Sequence, residues 1–107
     1  DIEKVFKDGY SKYNKYFGLK SLKNNLEYSR FTVIVGIKVS KKAPIRNTIK
    51  RRVRVVLKEY NTSLQTNVDL LIIALKPVES LDMKETRKEI ENLLKSSKLI
   101  KKWEKRH

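Results

Sequence analysis

The order of hydrophobic and polar positions predicts the first elements of this chain. Ile2, Val5 and Phe6 recur at helical spacing near the start. The helix that they predict ends near Asp8, because the glycine after it can adopt the left-handed conformation that stops a helix. Residues 15–22 predict a modest strand, and the asparagines beyond them predict a turn because asparagine tolerates a positive φ angle.

Two further segments have the patterns of sheet strands. In residues 31–40 apolar side chains alternate with polar or small ones, as a half-buried strand requires. The apolar members are Phe31, Val33, Val35, Ile37 and Val39. Residues 68–76 are apolar on both faces apart from Asp69, which predicts a strand inside the sheet that ends at Pro77.

A period of 3.6 residues predicts two longer helices. Pro44 suits a first helical turn, and the apolar stripe after it consists of Ile45, Ile49, Val53, Val56, Leu57 and Tyr60. Another helix begins near Asp82, which forms a capping box with Glu85, and its buried side consists of Met83, Thr86, Ile90, Leu93 and Leu94. The tail, with Leu99, Ile100 and Trp103, is predicted to fold back as a last helical turn. This order of elements predicts an α+β fold with helices packed on a single sheet.

Composition adds a candidate partner to this fold. With 107 residues, the chain is expected to form one domain, residues 1–107, around a single core. It carries 26 Lys and Arg against 12 Asp and Glu, a formal net charge of +14, while 39% of its residues are hydrophobic. A folded protein of this charge attracts polyanions, so nucleic acid is the first candidate partner and an acidic membrane surface the second.

The residue types exclude or disfavour several other functions. Without cysteine, the chain has no disulfide, thiolate nucleophile or cysteine zinc site. Its one histidine is the last residue, His107, and its carboxylates are scattered, so we expect no catalytic residue and no metal site in the chain. The apolar stretches are too short to span a membrane and no secretory pattern follows Asp1, so we expect a cytoplasmic protein.

The helix after Pro44 carries the most informative charge pattern. Arg46, Lys50, Arg54 and Lys58 form a row at i, i+4 spacing, with Asn47 and Arg51 beside it. This row lies roughly 140° around the helix from the apolar stripe. The run contains no acidic residue before Glu59, and Lys41 and Lys42 precede it. A solvated helix face is the simpler explanation, but such faces usually mix charges, so a one-signed face favours nucleic acid.

These residues resemble a known family. The segment "SKKAPIRNTIKRRVR" is similar to the signature of the bacterial ribonuclease P protein subunit, in which Ser-Lys-Lys ends a strand and Arg-Asn-x-x-Lys-Arg-x-x-Arg begins a helix. "VFKDG", "VGIKVSKK" and "LLIIALKP" also stand where the family has similar segments. The resemblance implies an α/β sandwich with a mostly antiparallel sheet of about four strands and three helices. Their order is α-β-β-β-α-β-α, with a left-handed crossover through the basic helix.

The resemblance also implies a task. The family's protein assists a catalytic RNA that removes the 5′ leader of precursor tRNA, with Mg²⁺ held mainly by the RNA and none required by the isolated chain. The implied partners are therefore the catalytic RNA and precursor tRNA, without a membrane or a protein partner. The alternative is a general RNA-binding or ribosome-associated protein with no associated reaction. A peripheral membrane protein is disfavoured because the stripe opposite the cations is needed for the core.

The family's site residues transfer by position. The implied contacts with the catalytic RNA are Arg46, Asn47, Lys50, Arg51 and Arg54, together with Lys41 and Lys42. Phe6, Phe17 and Lys38 match the cleft that holds the leader, although both aromatics are equally typical of a core. Thr48 departs from the family's second arginine, and the link of residues 43–45 before Arg46 is shorter than usual in the family. Ile2 and Lys20 stand where the family often has aromatics. Tyr10, Tyr13 and Tyr16 lie among lysines, a mixture that suits stacking on RNA and is equally typical of a loop.

Overall fold

A computed structural model of the chain describes residues 9–64 and 67–100. Its regular elements are the strands β1 (Tyr10–Tyr13), β2 (Phe17–Lys23), β3 (Arg30–Ile34) and β4 (Val68–Ala74) and the helices α1 (Ala43–Tyr60) and α2 (Met83–Ser96). Short 3-10 helices, Asn61–Ser63 and Lys76–Ser80, follow α1 and β4. The helix predicted for residues 1–8, and Trp103, lie outside the described residues. Within the described ranges, no helix is long and apolar enough to cross a membrane.

The four strands form one mixed sheet in the order β1-β2-β4-β3. β2 is antiparallel to β1 and to β4, whereas β3 is parallel to β4. This confirms the α+β class, the mostly antiparallel pairing and the central position of β4. Because a parallel pair needs a crossover connection, the chain passes through α1 between β3 and β4. The left hand of this crossover stays a prediction from the resemblance.

The core lies between one face of the sheet and the two helices. Phe17, Leu19, Val33 and Ile72 share that face, and they belong to one buried cluster with Ile49, Val53, Ile90 and Leu93 of the helices. The predicted stripe of α1 is confirmed, with Ile45 and Tyr60 partly buried at its ends. The predicted stripe of α2 is also confirmed, with Met83 partly buried. Burial of these stripes fixes the rotation of both helices, and therefore decides which side chains face the solvent.

The strand predicted for residues 31–40 ends earlier than its alternation indicates. β3 stops at Ile34, and a turn follows in which the Val39 N–H donates to the Gly36 carbonyl at 3.1 Å. Ile37 in this turn is 69% exposed. The reason is the partner strand, because β4 ends at Ala74, one residue beyond the last β3 pairing of Ile34 with Ile73. Without a neighbour to accept its hydrogen bonds, the alternating segment has no ladder to continue.

One strand of the sheet has no apolar pattern. All four residues of β1 are exposed, so neither alternation nor burial distinguishes this segment from a loop. It pairs with β2 through a short turn at Asn14, whose side-chain oxygen accepts the backbone N–H groups of Tyr16 and Phe17, both at 2.8 Å. The Asn14 amide also donates to Glu89 of α2 at 3.3 Å, which ties the hairpin to the helix.

The two ends of α2 differ in how well the sequence predicts them. The capping box is confirmed, with the Glu85 N–H donating to the Asp82 carboxylate at 2.7 Å and the Asp82 N–H donating to Glu85 at 3.0 Å. Leu99 and Ile100 fold back into the core as expected. Leu99 and Ile100 are not helical, because Lys98 has a left-handed φ of 60° that ends the helix and reverses the chain, and the rest of the predicted turn lies outside the described residues.

Candidate nucleic-acid interface

The solvent-facing side of α1 forms a shallow groove of about 360 Å³, here called the basic groove. Its lining consists of Asn47, Lys50, Arg51, Arg54, Val55 and Lys58. Asn47, Arg51, Arg54 and Lys58 are exposed and Lys50 is half-buried, because the apolar stripe on the opposite side holds the helix against the sheet. The structure thus brings four of the seven predicted contacts with RNA into one surface.

Among the described residues, no carboxylate forms an ion pair with a cation of this groove. In the part of the chain that the structure describes, ion pairs join Arg30 to Asp69, Arg87 to Glu59 and Lys95 to Glu91, and none includes a lysine or arginine of the groove. Glu59, the one acidic residue of α1, is held by Arg87 of α2, and this hydrogen bond lowers the pKa of its carboxyl. Four like charges therefore share one helix face, an arrangement that favours a polyanionic ligand.

The other three predicted contacts lie at the start of α1. The Arg46 guanidinium donates to the Ser40 carbonyl at 2.9 Å, and the Lys42 N–H donates to the Ser40 hydroxyl at 3.2 Å. These bonds hold Lys41 and Lys42, both exposed, beside the first turn of the helix. That turn has no acidic residue and no side-chain cap, so the positive end of the helix dipole adds to the charge of the lysines.

Thr48 and the short link before Arg46 have local roles. Residues 43–45 form the first helical turn, so the link needs no loop of its own. The Thr48 hydroxyl donates to the Pro44 carbonyl at 3.0 Å, and the side chain lines a depression beside Ile49 and Arg52, outside the basic groove. Replacing the family's arginine by Thr48 therefore removes one cation and adds a bond within the helix.

Two of the predicted cleft residues are placed differently from the prediction. Phe17 is 0% exposed within the core, so it offers no ring face to a base, and its assignment to the leader cleft is corrected to a core role. Lys38 is exposed but lies in the turn after β3 and not on a strand, since the ladder ends at Ile34. Phe6 lies outside the described residues.

Lys38 borders a second concave surface, here called the apolar groove, of about 490 Å³. Its lining consists of Ile34, Gly36, Ile37, Lys38, Val39, Ile73, Ala74, Leu75 and Lys76. Ile34 and Ile73 pair directly across β3 and β4, and they point to the sheet face opposite the helices, since their neighbours Val33 and Ile72 point into the core. The groove therefore combines apolar side chains with two exposed lysines, Lys38 and Lys76.

Val55 and Lys58 of the basic groove and Lys76 of the apolar groove are among the lining residues that were not predicted as contacts. Lys58 continues the i, i+4 row of cations and could have been assigned from that spacing. Val55, 42% exposed, has no charge that would mark it. Lys76 reaches the apolar groove only because β4 ends beside the turn after β3, a relationship between distant segments that one sequence does not reveal.

The described residues offer no cluster of three or more His, Asp or Glu side chains that could hold a metal ion. The carboxylates of Asp69 and Glu59 are instead bound by arginines.

Comparison with known proteins identifies close relatives of this sequence. The family model described as Ribonuclease P matches residues 1–98. The ribonuclease P protein component of Streptococcus gordonii is 42% identical over 102 residues, which cover 92% of this chain and 82% of the relative. The protein of the same name from Streptococcus pneumoniae is 38% identical over 104 residues, which cover 94% of this chain and 81% of the relative.

Solved structures have the same fold. The RNase P protein of Staphylococcus aureus superposes with a TM-score of 0.87 at 26% identity, covering 94% of this chain and 91% of that one. The RNase P protein of Thermotoga maritima superposes with a TM-score of 0.81 at 32% identity, covering 90% of each chain. These similarities extend over both the sheet and the basic helix, since they include nearly the whole chain.

Proposed function

This chain belongs to the ribonuclease P protein family, and we propose that it serves the holoenzyme by binding two RNAs on two separate surfaces. It is a protein component of ribonuclease P, an endoribonuclease of tRNA 5′ processing, and its partner is the RNA subunit.

The basic groove and the start of α1 bind the catalytic RNA. The single observation that carries this assignment is the one-signed charge of the groove, whose four cations have no carboxylate partner within the described ranges. Arg51 and Arg54 present planar forks that match phosphate oxygens, and Lys50 adds a mobile point charge. Asn47 lies among them and can both donate and accept a hydrogen bond, which suits a sugar or base edge.

The apolar groove binds the 5′ leader of precursor tRNA. A single strand exposes base faces that pack on apolar surface and phosphates that pair with cations. The groove offers both, because its lining includes the apolar Ile34 and Ile73 and the exposed Lys38 and Lys76. Phe6 stays a family-based candidate for the same cleft.

The chain contributes binding and no reacting group to the cleavage. Mg²⁺, which the family's reaction uses, is assigned to the RNA by the resemblance, and the protein acts by lowering the repulsion between two polyanions. We place the holoenzyme in the cytoplasm, because both RNAs are transcribed there in bacteria.

Reconstitution with the matching catalytic RNA tests the function. At low salt, low Mg²⁺ and limiting protein, we expect the chain to raise the rate at which precursor tRNA loses its leader. The benefit should shrink as salt or Mg²⁺ rises, since counterions then replace the protein's charge. Binding of both RNAs without any stimulation of cleavage would instead support the alternative, a general RNA-binding protein.

The leader assignment needs a separate comparison. Lys38→Ala should weaken holoenzyme binding of precursor tRNA with a leader and leave binding of mature tRNA nearly unchanged. Lys84→Ala, which removes an exposed lysine of α2 outside both grooves, is the matched control. Equal losses for both tRNAs from a stably folded Lys38→Ala protein would contradict the leader groove.

A further inference from the structure

Tyr13 lies in line with the apolar groove across the whole sheet. The strand register pairs Tyr13 with Gly18, Gly18 with Ile73, and Ile73 with Ile34. Residues paired directly across neighbouring strands point to the same face, so these four positions form one row on the face opposite the helices. With strands about 4.8 Å apart, the row spans roughly 14 Å from β1 to β3.

The ring of Tyr13 packs directly against Gly18. A β-carbon added at Gly18 would come within 2.3 Å of the Tyr13 ring and within 3 Å of three of its atoms. The ring therefore fills the space that a side chain would need, and the absence of that side chain lets it lie flat against the sheet. Tyr13 nevertheless stays 51% exposed, so part of the side chain is accessible to a ligand.

Lys20 orients this ring and adds a positive charge. Its Nζ lies 5.5 Å from the centre of the Tyr13 ring and donates to the Ser11 hydroxyl at 3.0 Å. Ser11 pairs with Lys20 in the strand register, so all three side chains are on the same sheet face as the Tyr13 row. An exposed aromatic ring is a surface on which an unpaired base can stack.

We propose that Tyr13, seated on Gly18 and flanked by Lys20, stacks on one unpaired base of the RNA strand that occupies the apolar groove. The inference rests on the proposed leader groove and extends it along the sheet to the edge strand β1. The ligand is a single-stranded ribonucleotide segment, since a base paired in a helix presents no free face to a ring that lies flat on a sheet.

The edge strand supplies a matched control. Tyr10 is the same residue type on the same strand and is 49% exposed, but it pairs with Ser21 and so points to the other sheet face. It is three residues from Tyr13, and loses the same surface on truncation. A general loss of aromatic surface or of strand stability would affect Tyr10→Ala and Tyr13→Ala alike, whereas stacking on the leader concerns Tyr13.

The experiment measures binding of precursor tRNA, with and without a leader, to holoenzyme assembled from each variant. Tyr13→Ala should weaken binding of the leader substrate about tenfold and leave mature tRNA unchanged, whereas Tyr13→Phe keeps the ring and should bind as wild type does. Gly18→Ala should also weaken leader binding, because it displaces the ring without removing it. Tyr10→Ala should bind both substrates normally.

The failures of the two hypotheses are distinct. If the wild-type holoenzyme favours the leader substrate and Tyr13→Ala favours it equally, the stacking site is wrong and the leader groove stands. If the wild type shows no preference for the leader, the leader groove and the Tyr13 site are both wrong. Thermal unfolding of every variant accompanies the assay, and equal losses for both tRNAs from a folded Tyr13→Ala protein overturn the proposal.

Discussion

The guanidinium of Arg87 holds the carboxylate of Glu59 through two hydrogen bonds, of 2.8 and 2.9 Å. Glu59 is the one acidic residue in α1, and it follows directly on Lys58, the last cation of the basic groove. Because Arg87 belongs to α2, its bond directs the carboxylate away from the groove lining and toward the neighbouring helix. The charged side chains that line the groove are therefore all positive.

Removing that charge should weaken RNA binding without unfolding the protein. The variant Lys50→Gln, Arg51→Gln, Arg54→Gln removes three cations that have no described partner. If each neutralises one phosphate, the slope of log affinity against log salt should become shallower by about 2 to 3 units. Binding of the catalytic RNA, measured across a salt series, gives this slope.

A control with the same change in net charge separates position from total charge. Lys23→Gln, Lys84→Gln, Lys88→Gln removes three exposed lysines that line neither groove. Its salt slope should stay close to that of the wild type. If the salt slope becomes shallower by the same amount in both triple variants, the RNA responds to net charge and the groove is not the binding surface.

Two adjacent arginines should separate binding from stability. Arg51 is exposed in the groove, whereas Arg52 donates to the Leu81 carbonyl at 3.0 Å and links α1 to the start of α2. Arg52→Ala should cost about 1 kcal/mol of unfolding free energy and leave the salt slope unchanged. Arg51→Ala should leave the unfolding free energy nearly unchanged and make the salt slope shallower. Urea unfolding and salt-dependent binding of both variants test the pair, and a shared effect would refute the division.

Asn47 should contribute a directed hydrogen bond to the RNA and no charge. Asn47→Ala removes an exposed amide from the groove and leaves every cation in place. We expect lower cleavage at limiting protein with an unchanged salt slope, because a neutral hydrogen bond releases no counterion. Asn25→Ala, an exposed amide in the loop between β2 and β3, is the control. Wild-type activity of Asn47→Ala would show that the amide is merely solvated.

The helices were predictable from the sequence because their signals are local. The apolar stripe of α1, the proline in its first turn and the capping box of Asp82 and Glu85 each depend on residues within a few turns. The basic groove was predictable from the same helical spacing, since burial of the apolar face of a helix decides which side chains lie on the exposed face. Its membership was incomplete only at Val55 and Lys58.

The sheet face was less predictable because its features depend on pairing between distant segments. The end of β3 at Ile34 is set by where β4 ends, and neither segment alone contains that information. Tyr13 resembles a loop residue until its strand is paired with β2, which places its ring on Gly18. Phe17 was compatible with a cleft or a core by its spacing, and only the packing decides for the core.

Asp69, the polar exception in an otherwise apolar strand, is explained by the same pairing. β3 places Arg30 directly opposite, and its guanidinium donates to the carboxylate at 2.7 and 2.6 Å while Asn24 donates at 2.9 Å. The hydrogen bonds from Arg30 lower the pKa of the Asp69 carboxyl well below its ordinary value of 3.8. The side chain is 13% exposed, so this charge depends on its partners for solvation.

The unfolding free energy of the protein should therefore depend on pH through the titration of Asp69. The folded state keeps this carboxyl ionised at a pH where the unfolded chain already binds a proton, so the stabilisation is complete at pH 7 and declines as the pH falls below about 4. Asp69→Asn should lose about 2 kcal/mol of unfolding free energy at pH 7, and its deficit relative to wild type should narrow toward pH 2. Glu59→Gln is the control, because the side chains of Glu59 and Arg87 are 39% and 40% exposed and such surface pairs contribute little, less than about 1 kcal/mol. Urea unfolding of the three proteins between pH 2 and 7 measures these differences. A deficit of Asp69→Asn that stays constant over this range would mean that its loss comes from packing and not from the charge.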